Sequence, residues 1–228
     1  VWGQGFGAFG TAGGGGNAFD LNRQIAGFAA GADVRLASGP RVGVVGGYTE
    51  ADLASAGRVG GLSRAESATL KSGFGGLYGG YERGPLALRL GALYAETDAR
   101  TRRAVAYGLS DTLSGHGGGH TVQAFGEIGW RIALGQPAGA SVEPFASGAY
   151  VGIRRGAFAE TGGAAALASV ARDYDLGAAT VGVRAQTRLD LGLSRPVTLR
   201  GLVGYRRAFG DVVPPALLAF GAGGAAFL

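Results

Sequence analysis

The chain of 228 residues has no cysteine and no methionine. Without cysteine there is no disulfide framework, no thiolate zinc site and no thiol nucleophile. With no starting methionine and no leader-like segment, Val1 reads as a processed or trimmed start. Lysine is nearly missing too: of 21 basic residues only Lys71 is not arginine. A net charge of +5 and a pI near 9.9 would suit nucleic acid if the arginines clustered. They are scattered along the chain, so no nucleic-acid partner is expected. Charged residues make up only 16% and apolar residues 46%, which excludes extensive disorder. No stretch reaches the roughly 18 apolar residues of a membrane helix. The nearest, Val212–Leu228, is broken by Pro214 and Pro215 and reads as loop plus strand.

Glycine is abundant instead, with 47 residues. Each glycine in a helix interior costs about 1 kcal/mol relative to alanine, which argues against a helical bundle. Collagen is excluded because there is no three-residue period and only 7 prolines. The dominant pattern has period two. Leu86, Leu88, Leu90, Ala92 and Tyr94 alternate with Ala87, Arg89, Gly91 and Leu93. Val122, Ala124, Gly126, Ile128, Trp130 and Ile132 alternate with Gln123, Phe125, Glu127, Gly129 and Arg131. Ala179, Val181, Val183 and Ala185 alternate with Thr180, Gly182, Arg184 and Gln186. Successive strand side chains point to opposite faces, so each segment has one apolar and one polar or glycine face.

About ten such segments are expected, near 1–10, 23–37, 41–52, 67–83, 85–99, 120–134, 141–154, 176–191, 195–209 and 215–228. The faces of the first, third, seventh and last are not resolved by the pattern. Short links at Ser38–Arg41, Glu82–Pro85, Gly135–Ala140 and Gly192–Arg195 alternate with long ones at 11–22, 53–66, 100–119 and 155–175. Outer-membrane barrels have this asymmetry of short periplasmic turns and long outer loops. The segments also exceed the usual globular strand of about 5–6 residues and match a tilted membrane strand of about 9–11. The expected fold is all-β, an antiparallel transmembrane β-barrel.

Alternation alone leaves open which solvent each face meets, because in a soluble sandwich the apolar face would be core. Glycine-rich polar faces favour the membrane. So do aromatic residues near segment ends: Trp2, Tyr48, Tyr81, Tyr94, Trp130, Tyr150 and Tyr205, which suit interfacial girdles. The polar faces would then line a lumen with Asp33, Arg35, Arg89, Gln123, Glu127, Arg131, Arg184, Gln186, Arg188 and Arg200. Buried charges must pair or stay hydrated, so Glu127 and Asp33 are expected to form ion pairs across strands. Glycines such as Gly46, Gly47, Gly79 and Gly80 sit beside Tyr48, Tyr78 and Tyr81, whose rings would cover them.

Other constellations carry less. His116 and His120 could be metal ligands, but a flexible outer loop is the favoured reading. Gly13–Gly16 and Gly115–Gly119 lack the Lys-Ser/Thr that completes a phosphate-binding loop. Ser110, Asp111 and the histidines supply hydrolase residue types without a motif that fixes them. No catalytic site, metal or cofactor is expected.

The order of short motifs resembles the β-domain, or translocator, of autotransporters, the type V secretion proteins. Val1-Trp2-Gly3-Gln4-Gly5-Phe6-Gly7 is similar to that family's first strand, and Ala26-Gly27-Phe28 with Gly31-Ala32-Asp33 to its second. Arg41–Thr49, Gly76–Tyr81, Gln123–Arg131 and Glu143-Pro144-Phe145 resemble later strands in order. The resemblance spans nearly the whole chain. It implies a single barrel domain over 1–228, twelve strands in all, with about two strands missing at one end and the pore-plugging helix missing at the other. It implies outer-membrane lipid, an N-terminal passenger in cis and the outer-membrane assembly machinery as partners. The implied function is to carry the passenger to the cell surface. Twelve strands lie between the eight that only hold side chains and the sixteen that leave an open channel. In some members a luminal acid helps cut the passenger. Glu127 fits that role, although structural pairing is favoured. The alternative function is a small stand-alone barrel, acting as passive pore or adhesive surface protein.

Overall fold

In the computed structural model the described residues are 1–14, 19–59, 62–106, 110–135, 139–189, 197–212, 218–221, 223 and 225–226. Nine long strands form the sheet: β1 (Trp2–Ala12), β2 (Leu21–Arg35), β3 (Arg41–Val59), β4 (Leu62–Arg83), β5 (Leu86–Ala106), β6 (Ser110–Trp130), β8 (Ser141–Arg155), β11 (Arg172–Leu189) and β12 (Val197–Gly210). The short strands are β7 (Ile132–Ala133), β9 (Phe158–Thr161), β10 (Leu167–Ser169) and β13 (Ala219–Phe220). The long strands pair antiparallel in the order β1-β2-β3-β4-β5-β6-β8-β11-β12. Among the described residues no pairing joins β1 to β12, so the sheet is open there. Tight turns need glycine at two short links: Gly39 at φ +105° and Gly84 at φ +57°.

Residues directly opposite in an antiparallel ladder share a face. The register therefore sorts the whole sheet into two faces from one starting pair, Arg89↔Glu127. Curvature follows from the side-chain contacts. On the face of Arg89, contacts skip intervening strands: Arg89 on β5 reaches Glu143 on β8, Arg184 on β11 reaches Glu127 on β6, and Trp2 on β1 reaches Tyr78 on β4. On the opposite face, contacts such as Lys71–Glu50, Thr69–Asp52 and Tyr150–Asp175 join adjacent strands only. Side chains converge on the inside of a curl, so the Arg89 face is concave.

The convex face carries an exposed apolar band, including Val34, Val44, Leu77, Leu90, Ile128, Val181 and Leu199. From Leu86 to Tyr94 on β5 the strand climbs about 26 Å at ~3.3 Å per residue. A tilt of about 40° makes that roughly 20 Å of height, close to the ~25 Å lipid band of outer-membrane barrels. The band ends in Tyr81 and Trp130 at one side and Tyr48, Tyr94 and Tyr150 at the other. Tyr205 shares this face. Beyond the second row come Glu50, Lys71, Glu96 and Arg154.

Several expectations are corrected. The segment 100–119 is not a loop, because β5 continues to Ala106 and β6 begins at Ser110. Likewise β3 and β4 extend through most of 53–66, and β9 and β10 occupy part of 155–175. Beyond the apolar band neither face needs to be apolar, so these stretches pair through their backbones while losing the alternation. His116 and His120 accordingly lie in β6 rather than in a flexible loop. The tenth segment does not extend the sheet beyond β12: its described part forms only the two-residue β13, paired with β10. The link at Gly192–Arg195, parts of the links 11–22 and 135–140, Gly15 and Gly16, and much of 213–228 lie outside the described residues.

Trp2 does not join the aromatic rows. Opposite Gly31, it lies on the concave face. The rings that cover glycines are also not sequence neighbours but cross-strand partners. Trp2 covers Gly31, Phe6 covers Gly27, Tyr78 covers Gly43, Phe74 covers Gly47 and Phe125 covers Gly91. An added Cβ at Gly43 would sit 2.5 Å from Tyr78 Cζ. Flat rings laid on bare backbone let the concave side curl tightly without a thick layer of side chains.

Candidate functional site

The ten polar residues singled out by their sequence pattern all fall on the concave face. Asp33 and Arg35 lie on β2, Arg89 on β5, Gln123 and Glu127 on β6, Arg184, Gln186 and Arg188 on β11, and Arg200 on β12. Arg131 follows β6 directly. The β6–β8 ladder ends at Gly129↔Phe145 and resumes as β7 at Ile132↔Val142. Pro144 sits in that gap and has no N–H to give. The interruption leaves Arg131 beside Glu143, its backbone N–H donating to Pro85 O at 2.7 Å.

The centre of the wall is a charge network over four strands. Arg89 Nη1 donates to Glu127 Oε1 at 2.8 Å and to Glu143 Oε1 at 2.9 Å. Arg184 Nη1 donates to the same two oxygens at 2.8 and 3.1 Å, and its Nη2 pairs with Glu127 Oε2. Arg131 Nη2 lies 3.2 Å from Glu143 Oε2 and 3.7 Å from Glu82. The Arg184 guanidinium also stacks 4.1 Å over the Phe145 ring. The carboxylates are the buried members, at 13% and 7% exposure, while the guanidiniums of Arg89 and Arg184 keep about a third of their surface. Three cations thus converge on two anions, which balances most of the charge and leaves the arginine edges wet.

Two further groups lie on the same face. Trp2 Nε1–H donates to Tyr78 Oη at 2.7 Å, and Tyr78 O–H donates to Asp33 at 2.8 Å, with Arg41 at 3.4 Å from Asp33. Farther up, Arg103 pairs with Glu160 at 2.5 Å and donates to Ala165 O at 2.8 Å. This fixes β9 against β5 from the inside.

Sequence reasoning missed Glu143, Tyr78 and Trp2 as members of this wall. Glu143 was obscured because Val142, Pro144, Phe145 and Val151 gave that segment no readable face. A usable signal was charge balance: the arginines of the wall outnumber Asp33 and Glu127. The hydrolase and metal constellations do not assemble. Ser110 and Asp111 are consecutive in β6 and so lie on opposite faces. His116 and His120 are on the convex face, and His120 stacks on Tyr94 at 5.7 Å. Among the described residues no group of three or more His, Asp or Glu could hold a metal ion.

Comparison with known proteins gives a consistent result. The family model for the autotransporter β-domain matches residues 1–227. An extracellular serine protease of Serratia marcescens is 33% identical over 228 residues, all of this chain but 21% of that protein. A second Serratia protein of the same description is 33% identical over 222 residues. The chain therefore spans about a fifth of the curated relatives it matches. Among solved structures, the β-domain of the Bordetella autotransporter BrkA superposes with a TM-score of 0.62 at 17% identity, covering 95% of this chain and 80% of that one. The translocator domain of NalP from Neisseria meningitidis gives 0.53 at 14% identity, covering 95% and 78%. With an apolar convex band, an antiparallel sheet and a family match over nearly its whole length, the chain belongs to the autotransporter β-domain family, the antiparallel β-barrels of the Gram-negative outer membrane.

Proposed function

We propose that residues 1–228 act as one translocator unit, which carries a passenger polypeptide of the same protein to the cell surface. The observation that supports this best is the charged wall of Arg89, Glu127, Glu143 and Arg184, its arginines about a third exposed, inside an apolar convex band. A polypeptide in transit needs its backbone groups solvated, which hydrocarbon cannot do and a wet guanidinium–carboxylate wall can. The ten concave residues line that path, and Tyr48, Tyr81, Tyr94, Trp130, Tyr150 and Tyr205 set the chain's depth in the membrane.

The unit does no chemistry of its own. Glu127 has both oxygens taken by Arg89 and Arg184, which suits a register-holding pair better than a cutting acid. The protease activity in the relatives' descriptions is assigned to their passengers. Insertion is assigned to the outer-membrane assembly machinery, and the driving energy to folding of the passenger outside.

The test uses the full-length protein in a Gram-negative host, with an epitope in the segment preceding Val1. Protease added to intact cells should remove the epitope. Deleting residues 1–228 should leave it protected in the periplasm. Surface display without this region, or a mature barrel that carries no passenger, would overturn the reading and favour a stand-alone pore or adhesin.

A further inference from the structure

Above the second aromatic row, the convex face of β4, β5 and β6 changes character. The convex residues of β5 run Tyr94, Glu96, Asp98, Arg100, Arg102. The register sets Thr69, Arg100 and His116 in one row, and Ser67, Arg102 and Ser114 in the next. Strand β9 adds Ala159 beside His116 and Thr161 beside Ser114. These residues line a single cleft of about 650 Å³.

Three features make the cleft a site for an anion. Arg100 and Arg102 are exposed and have no carboxylate partner among the described residues. Of the acids on β3, Glu50 sits one convex position lower and pairs with Lys71 at 3.5 Å, while Asp52, in the row of Arg100 but two strands away, is occupied by Thr69, from which it accepts at 2.7 Å. Glu96 and Asp98, one and two convex positions above Tyr94, bar an anion from that lower level. Arg103, on the other face of the same strand, is locked to Glu160 and Ala165 O. The cations are therefore presented on a pinned platform, which lowers the ordering cost of binding.

Height decides the ligand class. Arg100 lies six residues beyond Tyr94, which is about 20 Å along the strand and ~15 Å above the aromatic row at a tilt of about 40°. A phospholipid headgroup layer is only about 5–8 Å thick on each side. An anionic group at the level of Arg100 has to be carried on a saccharide. We propose that Arg100, Arg102 and His116, with Ser67 and Ser114, bind a phosphorylated saccharide headgroup of an outer-leaflet glycolipid. The two guanidiniums clasp the phosphate oxygens, and the hydroxyls and imidazole take the sugar. The proposal rests on the outer-membrane reading and on the β5–β6 hairpin facing outward.

The test uses the full-length protein reconstituted in vesicles. Bound lipopolysaccharide is measured for wild type, for Arg100→Gln with Arg102→Gln, and for Arg206→Gln with Arg207→Gln, which removes the same charge from β12. Resistance of folded protein to denaturation on a cold gel confirms that each variant folds. The expected result is at least ten-fold weaker lipopolysaccharide binding for the β5 variant and less than two-fold change for the β12 variant. Equal loss in both variants, or none in either, overturns the site. Equal affinity for vesicles of phosphatidylglycerol overturns the saccharide-borne source. Full displacement by millimolar inorganic phosphate points to a free-phosphate site and also overturns it. If the hairpin tip is accessible only from the periplasmic side of intact cells, the orientation fails, a result separable from failure of the site.

Discussion

Replacing Glu143 by Gln tests the charge network most directly. The substitution keeps the shape and removes the negative charge on which Arg89, Arg131 and Arg184 converge. The carboxylate side chain is 7% exposed. Breaking a fully buried pair costs about 3–5 kcal/mol. That figure is too large here, because Arg89 and Arg184 are 34% and 32% exposed and keep Glu127, while Arg131 keeps Glu82. Screening by water brings the expected loss to about 2 kcal/mol. With a urea dependence of about 2 kcal/mol per molar, the unfolding midpoint falls by roughly 1 M. Tryptophan emission reports the transition in micelles through Trp2 and Trp130, the 2 tryptophans of the chain. Glu127→Gln should cost a similar amount. The double variant should cost less than the sum, since both acids share Arg89 and Arg184. Glu96→Gln, exposed on the convex face, should move the midpoint by less than about 0.5 kcal/mol equivalent. If Glu143→Gln shifts it no further than Glu96→Gln, or if the two network variants add fully, the network reasoning is wrong.

Four other outcomes follow from the same geometry. Gly43→Ala drives a Cβ to 2.5 Å from Tyr78 Cζ and 2.8 Å from Asp33 Cβ, and should cost about 1–3 kcal/mol in the same titration. Gly5→Ala, with nothing within 4 Å, should be neutral or better. Tyr78→Phe deletes the hydroxyl between Trp2 and Asp33, so stability should drop by about 1–2 kcal/mol and the Trp2 emission should change. Leu90→Arg, at the middle of the convex band, should cost about 2–4 kcal/mol in vesicles, and an unchanged midpoint would reject lipid contact there.

What the sequence revealed tracks where solvent forces a choice. In 86–94, 122–130 and 179–185 one face meets lipid and the other does not, so alternation is sharp and the concave residues are readable. In β1 the convex positions Gly3, Gly5 and Gly7 have no side chains, and the rings of Trp2 and Phe6 lie over glycines of β2. Trp2 and Phe6 there mark the inside, opposite to the rule that served elsewhere, and nearness to a segment end could not tell on which face Trp2 lies. Above the membrane both faces are wet, alternation fades, and continuous strands look like long loops. Glu143 lay hidden because its segment mixes Pro144 and Phe145 on neighbouring positions of opposite face. Contacts between non-adjacent strands, which create the network, have no local signature at all.

The extension of β3 to β6 past the lipid has a bearing on how the cell surface meets proteases. Arg100, Arg102 and Arg103 would each invite trypsin in a loop. Here each is paired through its strand on both sides, with Thr69, Ser67 and Glu66 on β4 and with His116, Ser114 and Leu113 on β6. A protease must first pull the segment out as a free extended chain, so hydrolysis waits on local unfolding. Enzymatic shaving of intact cells should therefore release little from this region. Epitopes or labels meant to be cut or modified do not belong among these arginines.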